Sequence, residues 1–164
     1  MRLIIAAVGR VRGRAPETEL CDLYCERARG LGRKLGFIKL DLFVVDTSRL
    51  DLPAKRMTEE AARLAAKLPE PAHRIALDES GRTMTSEAFA KHIAKLRDSG
   101  TRDLAFLIGG PDGLARDLKE SCNERLALGL QTWPHLLVRA LLAEQIYRAF
   151  AILSGHPYHR GGAC

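Results

Sequence analysis

His135 and Arg139 stand four residues apart at the start of a long apolar segment, and packing alone does not explain the pair. Residues at this spacing share one face of a helix, and each of these side chains needs a polar partner if buried. A helix N-terminus attracts anions. It also disfavours a protonated imidazole, which leaves His135 neutral and available as a base. The run Gly109-Gly110-Pro111-Asp112-Gly113 is a second candidate, either a tight turn only or a place where backbone approaches a ligand closely. Its spacing is not that of a dinucleotide fingerprint, and no Gly-Lys-Ser/Thr follows, so it is not a phosphate-binding P-loop. The third candidate is His156-Pro157-Tyr158-His159-Arg160, which is either a mobile end or a flap that reaches over a site.

Elements able to position these groups follow from the hydrophobic pattern. Arg2 to Val8 is a continuous apolar run, as expected of a strand buried on both faces. The spacing of Leu20, Leu23, Tyr24, Ala28 and Leu31 predicts a helix from about Pro16 to Lys34. Phe37 to Val45 reads as a strand, and Asp51-Leu52-Pro53 as the cap of a second helix. Arg74 to Leu77 predicts a short buried strand, followed by a polar turn over Asp78-Glu79-Ser80-Gly81. Thr85 or Ser86 caps a third helix, and Asp103 to Ile108 is a strand running directly into the glycines. A short helix to about Asn123, a strand from Leu126 to Leu130 and a helix from Pro134 to about Leu153 complete the chain. Strand and helix alternate five times, which predicts an α/β fold: a parallel or mostly parallel sheet flanked by helices. Ligands in such sheets sit beyond the carboxyl ends of strands. Three of those ends carry loop chemistry: Leu77-Asp78, Ile108-Gly109-Gly110 and Leu130-Gln131-Thr132-Trp133.

The 164 residues suffice for one domain, expected to span 1–164, and the net charge of +6 leans towards polyanions. The longest apolar segment is interrupted by Arg139, Glu144 and Arg148, so no membrane span is expected, and the cytoplasm is the expected compartment. Cys21, Cys25, Cys122 and Cys164 lack metal-ligand spacing and read as reduced thiols; no metal site is expected. The helix from Pro134 is apolar on most sides, so it is either central to its own fold or part of a subunit interface. A homodimer through it is the expectation.

Taken together, Ile108 to Gly113, Pro134-His135, Val138-Arg139, Glu144 to Ala149 and His156 to Arg160 resemble the ribosomal RNA large-subunit methyltransferase H family of the SPOUT superfamily. The resemblance spans the whole chain and is most specific from Asp103 to Arg160. It implies a SPOUT-type sheet with a C-terminal trefoil knot and a homodimer. It also implies methyl transfer from S-adenosylmethionine to N3 of a pseudouridine in 23S rRNA, within the large subunit or 70S ribosome. By position, the cofactor would meet Leu77, Gly109, Leu128, Gly129, Leu130, Gln131, Thr132 and Trp133. His135, Arg139, Tyr158, His159 and Arg160 would form the catalytic set. Removing the imide proton calls for a general base, for which His135, His159 and solvent all stay open; Arg139 is unsuitable because guanidinium stays charged. Arg10, Arg12, Arg14, Arg139 and Arg160 are candidates for phosphate contacts. The four residues after Arg160 depart from the family pattern. Two rival readings are an RNA-binding protein without catalysis, which needs no cofactor cleft, and a nucleotide-dependent oxidoreductase, against which the missing fingerprint counts.

Overall fold

The computed structural model of the chain describes residues 1–11, 13 and 15–159. The five strands are β1 (Arg2–Val8), β2 (Lys39–Val45), β3 (His73–Thr83), β4 (Asp103–Ile108) and β5 (Glu124–Ala127). They form a sheet of order β2-β1-β4-β3-β5 in which each neighbouring pair is parallel. β1 and β4 lie inside the sheet and are buried along nearly their whole length. That two-sided burial is why their sequences are continuous apolar runs rather than alternating ones.

The helices are α1 (Pro16–Gly32), α2 (Pro53–Ala65), α3 (Ser86–Asp98), α4 (Arg116–Glu120) and α5 (His135–Ser154). One face of the sheet packs under α1, α3 and α5 through Leu3, Ile5, Phe106, Ile93, Ile146 and Phe150. The other face packs under α2 and α4 through Ile4, Leu64, Leu107 and Leu118. The helices therefore cover both faces, as the alternating pattern requires.

Much of the apolar surface of α5 is satisfied inside the chain. Cys21 Sγ lies 3.6 Å from the Arg139 carbonyl near one end of its contact with α1. At the other end Gly32 lets the backbone sit against Phe150, where an added β-carbon would come within 2.8 Å of the ring. Overpacking there costs about 1–3 kcal/mol. The polar residues of α5 are partnered rather than merely solvated. Arg148 Nε and Gln145 Nε2 donate to Glu144, and Ser86 Oγ donates to Gln145 Oε1 at 2.8 Å. The helix stops at Gly155, whose left-handed φ of 68° lets its N–H close onto the last carbonyls.

Three expectations are corrected. The polar turn expected over 78–81 lies inside β3, which pairs with β5 on both sides of a register shift between Leu77 and Arg82. The last strand ends at Ala127, so Leu128 to Leu130 belongs to the loop before α5. Asp51 does not cap α2; Leu52 holds that position without a side-chain hydrogen bond, and Pro53 starts the helix. Thr85 does cap α3, accepting from the Ala88 amide.

Candidate functional site

The carboxyl ends of β4 and β5 and the middle of β3, where its register with β5 shifts, enclose a cleft of about 360 Å³. Its walls come from Leu77 to Glu79, from the loop after β4 including Gly109, Gly110 and Gly113, and from the loop after β5. Leu77, Gly109, Leu128, Gly129, Gln131, Thr132 and Trp133 all line it, and His135 and Val138 stand at its α5 side. Leu130 does not line it and is 91% exposed. The lining mixes apolar and polar surface about equally, and its volume lies within the usual range for small-molecule sites, roughly 300–1,000 Å³.

Asp78, placed by the sequence beside a ligand, also lines the cleft, together with Glu79 and Lys119, which sequence reasoning had not given this role. Lys119 Nζ donates to Asp78 Oδ2 at 2.8 Å. Burial opposes ionisation of Asp78, but hydrogen bonds from Lys119 and Ser80 outweigh it and bring its pKa down to about 2. The Thr132 hydroxyl donates to Glu79 Oε2 at 3.0 Å, tying the loop after β5 to β3. Asp78 and Glu79 follow directly on the apolar run Arg74 to Leu77, which is the one sequence signal that marks them, although β3 continues through them to Thr83. Lys119 sits on a short helix and carries no such signal.

The glycine loop is braced from behind by α2. Arg56 grips Asp112 with Nε at 2.7 Å and Nη2 at 3.0 Å. One turn on, Glu60 is buried; its Oε1 accepts from the Ser48 amide at 2.8 Å. Glu60 Oε2 has no hydrogen-bond partner among the described residues. It lies 3.2 Å from where a Gly110 β-carbon would stand. Burial pushes the Glu60 carboxyl above its ordinary value. A β-carbon on Gly109 would come 2.3 Å from the Gly113 carbonyl carbon. Gly109 is therefore required by the closure of its own loop, which is the tight-turn alternative left open by the sequence, and it lines the cleft as well.

His135 and Arg139 share the face expected of them, and that face meets the turn after β1. Arg139 is buried, with Nη2 donating to the carbonyls of Val8 and Gly9. Its Nε has no partner among the described residues. Arg139 thus fixes the Gly9 turn from inside and, being buried, is not available to an RNA phosphate in this conformation; that expectation is corrected. His135 is half-buried beside it. Burial, and then the Arg139 charge, lower its pKa. Neutral imidazole is therefore the favoured form, in the direction anticipated for this helix start but with burial as the leading cause.

The tail does not join this cluster within one chain. Tyr158 packs on Tyr147 with ring centroids 4.5 Å apart, and Arg148 lies over its ring at 4.9 Å. Its hydroxyl donates to Glu144 Oε1 at 2.9 Å and lies 3.4 Å from the Tyr24 hydroxyl. His159 Nε2 is 2.9 Å from Glu87 Oε1. The segment through His159 is therefore held by packing, contrary to the expectation of a loosely fixed end. Arg12, Arg14, Arg160 and Gly161 to Cys164 lie outside the described residues.

A family model described as "Predicted SPOUT methyltransferase" matches residues 1–159. The chain is 48% identical over 160 residues to the ribosomal RNA large subunit methyltransferase H of Bradyrhizobium sp. (strain ORS 278), covering 98% of both. It is 51% identical over 160 residues to the protein of that name from Phenylobacterium zucineum (strain HLK1), covering 98% of this chain and 99% of that one. It is 48% identical over 160 residues to the one from Hyphomonas neptunium (strain ATCC 15444), with the same coverage. With the model match running through nearly all of the chain and relatives this similar at full length, the chain belongs to the ribosomal RNA large-subunit methyltransferase H family of SPOUT methyltransferases.

Proposed function

We propose that this single SPOUT domain transfers the methyl group of S-adenosylmethionine to N3 of a pseudouridine in 23S rRNA on the assembled ribosome. Family membership supports the reaction class. The observation that carries the reading is the cleft between the ends of β4 and β5 and the register shift of β3, with a neutral-favoured histidine at its side. The cleft suits the cofactor chemically. Its apolar walls and the backbone of the glycine loop can enclose an adenosine, while the exposed carboxylate of Glu79 can meet a cationic centre. S-adenosylmethionine supplies an already activated methyl group, so the protein's part is chiefly alignment. In this reading Leu77, Gly109, Leu128, Gly129, Gln131, Thr132 and Trp133 form the cofactor site, and His135 takes the imide proton. Arg139 acts through His135 and the Gly9 turn as a positioning residue.

Tyr158, His159 and Arg160 belong to the same proposal through a homodimer, in which the tail of one subunit serves the cleft of the other. Leu20, Leu23, Leu130 and Trp133 remain exposed and support an apolar contact between two copies. The trefoil knot is part of the reading too. It is supported by family membership and by the path of the chain, which leaves β5 at the sheet edge and brings His135 back to Gly9. No helix among the described residues is long and apolar enough to cross a membrane, and a ribosomal substrate places the activity in the cytoplasm.

The test is transfer of label from methyl-labelled S-adenosylmethionine to purified ribosomes that lack the modification, with sedimentation of the protein alongside. Label in 23S rRNA and a dimer at micromolar concentration are expected. Cofactor binding without any transfer to ribosomes would reduce the chain to a binding protein, and a stable monomer would remove the role given to the tail.

A further inference from the structure

A second, more open concavity of about 900 Å³ lies over the carboxyl ends of β1 and β2, against α2. Its rim carries Arg10, Arg49, Arg63 and Lys67, opposed by Asp46 and Glu59. The two carboxylates are already engaged. Asp46 Oδ1 lies 3.4 Å from Arg10 Nε. Glu59 accepts from Ser48 Oγ, and its Oε1 pairs with Arg63 Nη2 at 2.8 Å. Arg49 and Lys67 are exposed and have no ion pair among the described residues. Four cations against two carboxylates leave the groove a formal charge of +2.

The position of this groove gives it meaning. In the sheet order β2-β1-β4-β3-β5, the basic groove spans the first two strands and the cofactor cleft the last three, along one carboxyl edge. The turn after β1 joins them. Gly9 donates its amide to the Val45 carbonyl at 2.8 Å, on the groove side. A β-carbon on the same Gly9 would stand 3.0 Å from His135 Nε2, on the cleft side. Arg10, the next residue, is in the groove. A polyanion lying in the groove would therefore pass one residue away from the proposed base.

We infer that the groove of Arg10, Arg49, Arg63 and Lys67 binds the phosphodiester backbone of the RNA that carries the target nucleotide. This rests on the reading of RNA as substrate. Rigid guanidinium forks suit phosphate oxygens, and lysine adds a mobile point charge. Such contacts position the RNA without reading its bases. The base is then presented at His135 and the cleft, so the groove sets orientation while the cleft carries the chemistry. Arg63 on α2 and Lys67 just past its end both line the groove.

The experiment compares the full-length protein with an Arg49→Glu/Lys67→Glu double variant and with a Lys91→Glu control on the exposed side of α3. Thermal melting confirms the fold of each. Binding to a 23S rRNA transcript and to 70S ribosomes is measured across a salt series, with calorimetry for S-adenosylmethionine. The groove variant is expected to lose about tenfold or more in affinity for both RNA and ribosomes. Its salt slope should fall by between about one and two, and its cofactor affinity should match the unchanged chain. The control should bind as the unchanged chain does. Equal RNA affinity and slope in the groove variant would overturn the inference. So would a loss confined to ribosomes with naked RNA unaffected, which would assign the groove to a ribosomal protein. If the groove variant loses RNA binding but no protein transfers methyl groups, the groove assignment stands and the reaction reading falls.

Discussion

Gly9 and His135 touch across the sheet edge: a β-carbon on Gly9 would stand 3.0 Å from His135 Nε2 and 3.2 Å from Arg139 Nη2. Gly9 also holds a φ of 99°, a conformation that side chains resist. The Gly9→Ala variant should therefore shift the imidazole at the α5 side of the cleft while leaving the other walls in place. Methyl transfer is expected to fall at least tenfold, about 1.4 kcal/mol of transition-state stabilisation, with cofactor affinity by calorimetry unchanged. Normal single-turnover rates in Gly9→Ala would show that the imidazole position is not critical.

His135 has its pKa lowered by burial and by the Arg139 charge. Proton abstraction needs the neutral form, which therefore persists below the ordinary imidazole value of about 6.5. Turnover should stay level as pH falls past that value and drop only through the depressed pKa. Arg139→Gln removes one of the two depressing causes and should move the acid limb to higher pH. A pH–rate profile for His135→Gln that keeps the acid limb and the wild-type plateau would assign the proton to another acceptor.

The parts of this fold that were legible in the sequence are those where burial alone dictates residue type. β1 and β4 are central, so their apolar runs mark them without ambiguity. β3 beyond Leu77 was missed because Asp78 to Gly81 has turn chemistry, and only pairing with β5, some 45 residues on, keeps the chain extended there. The three segments that line the cleft were legible, though the one after Leu77 proves to be the middle of β3 rather than its end. Lys119, and the brace of Arg56 and Glu60 behind the glycines, were not, because their roles arise from contacts between distant elements. His135 and Arg139 were found by spacing. Whether Arg139 faces solvent or the Gly9 carbonyls depends on how α5 docks, which periodicity does not encode.

Glu60 offers a test of the brace. Burial raises its pKa, so the folded state binds the proton more tightly than the unfolded chain does. Its contribution is most favourable below the ordinary carboxylate pKa and is lost as pH rises through the raised value. Glu60→Gln keeps an acceptor for the Ser48 amide and removes the charge. Urea melts should show the variant more stable than the parent at pH 7, with the difference vanishing near pH 4. A less stable variant at pH 7 would mean that Glu60 is ionised in the fold and paired.

Tyr158 separates packing from chemistry in the tail. Tyr158→Phe keeps the ring against Tyr147 but loses the hydrogen bond to Glu144, at a cost of about 1 kcal/mol. Deleting the chain from Tyr158 removes the ring as well, so a larger loss of stability is expected, together with loss of methylation. Cofactor affinity should survive, since no tail residue lines the cleft. Wild-type turnover after the deletion would confine the site to residues before Tyr158.

Everything proposed for this protein turns on which atom is modified. Mass mapping of 23S rRNA from cells with and without this gene measures it most directly. One pseudouridine is expected to carry a methyl group on N3 with the gene and to lack it without, restored by the unchanged chain but not by His135→Gln. Identical methylation maps in the two strains, or a methyl lost from a different base or atom, would contradict it.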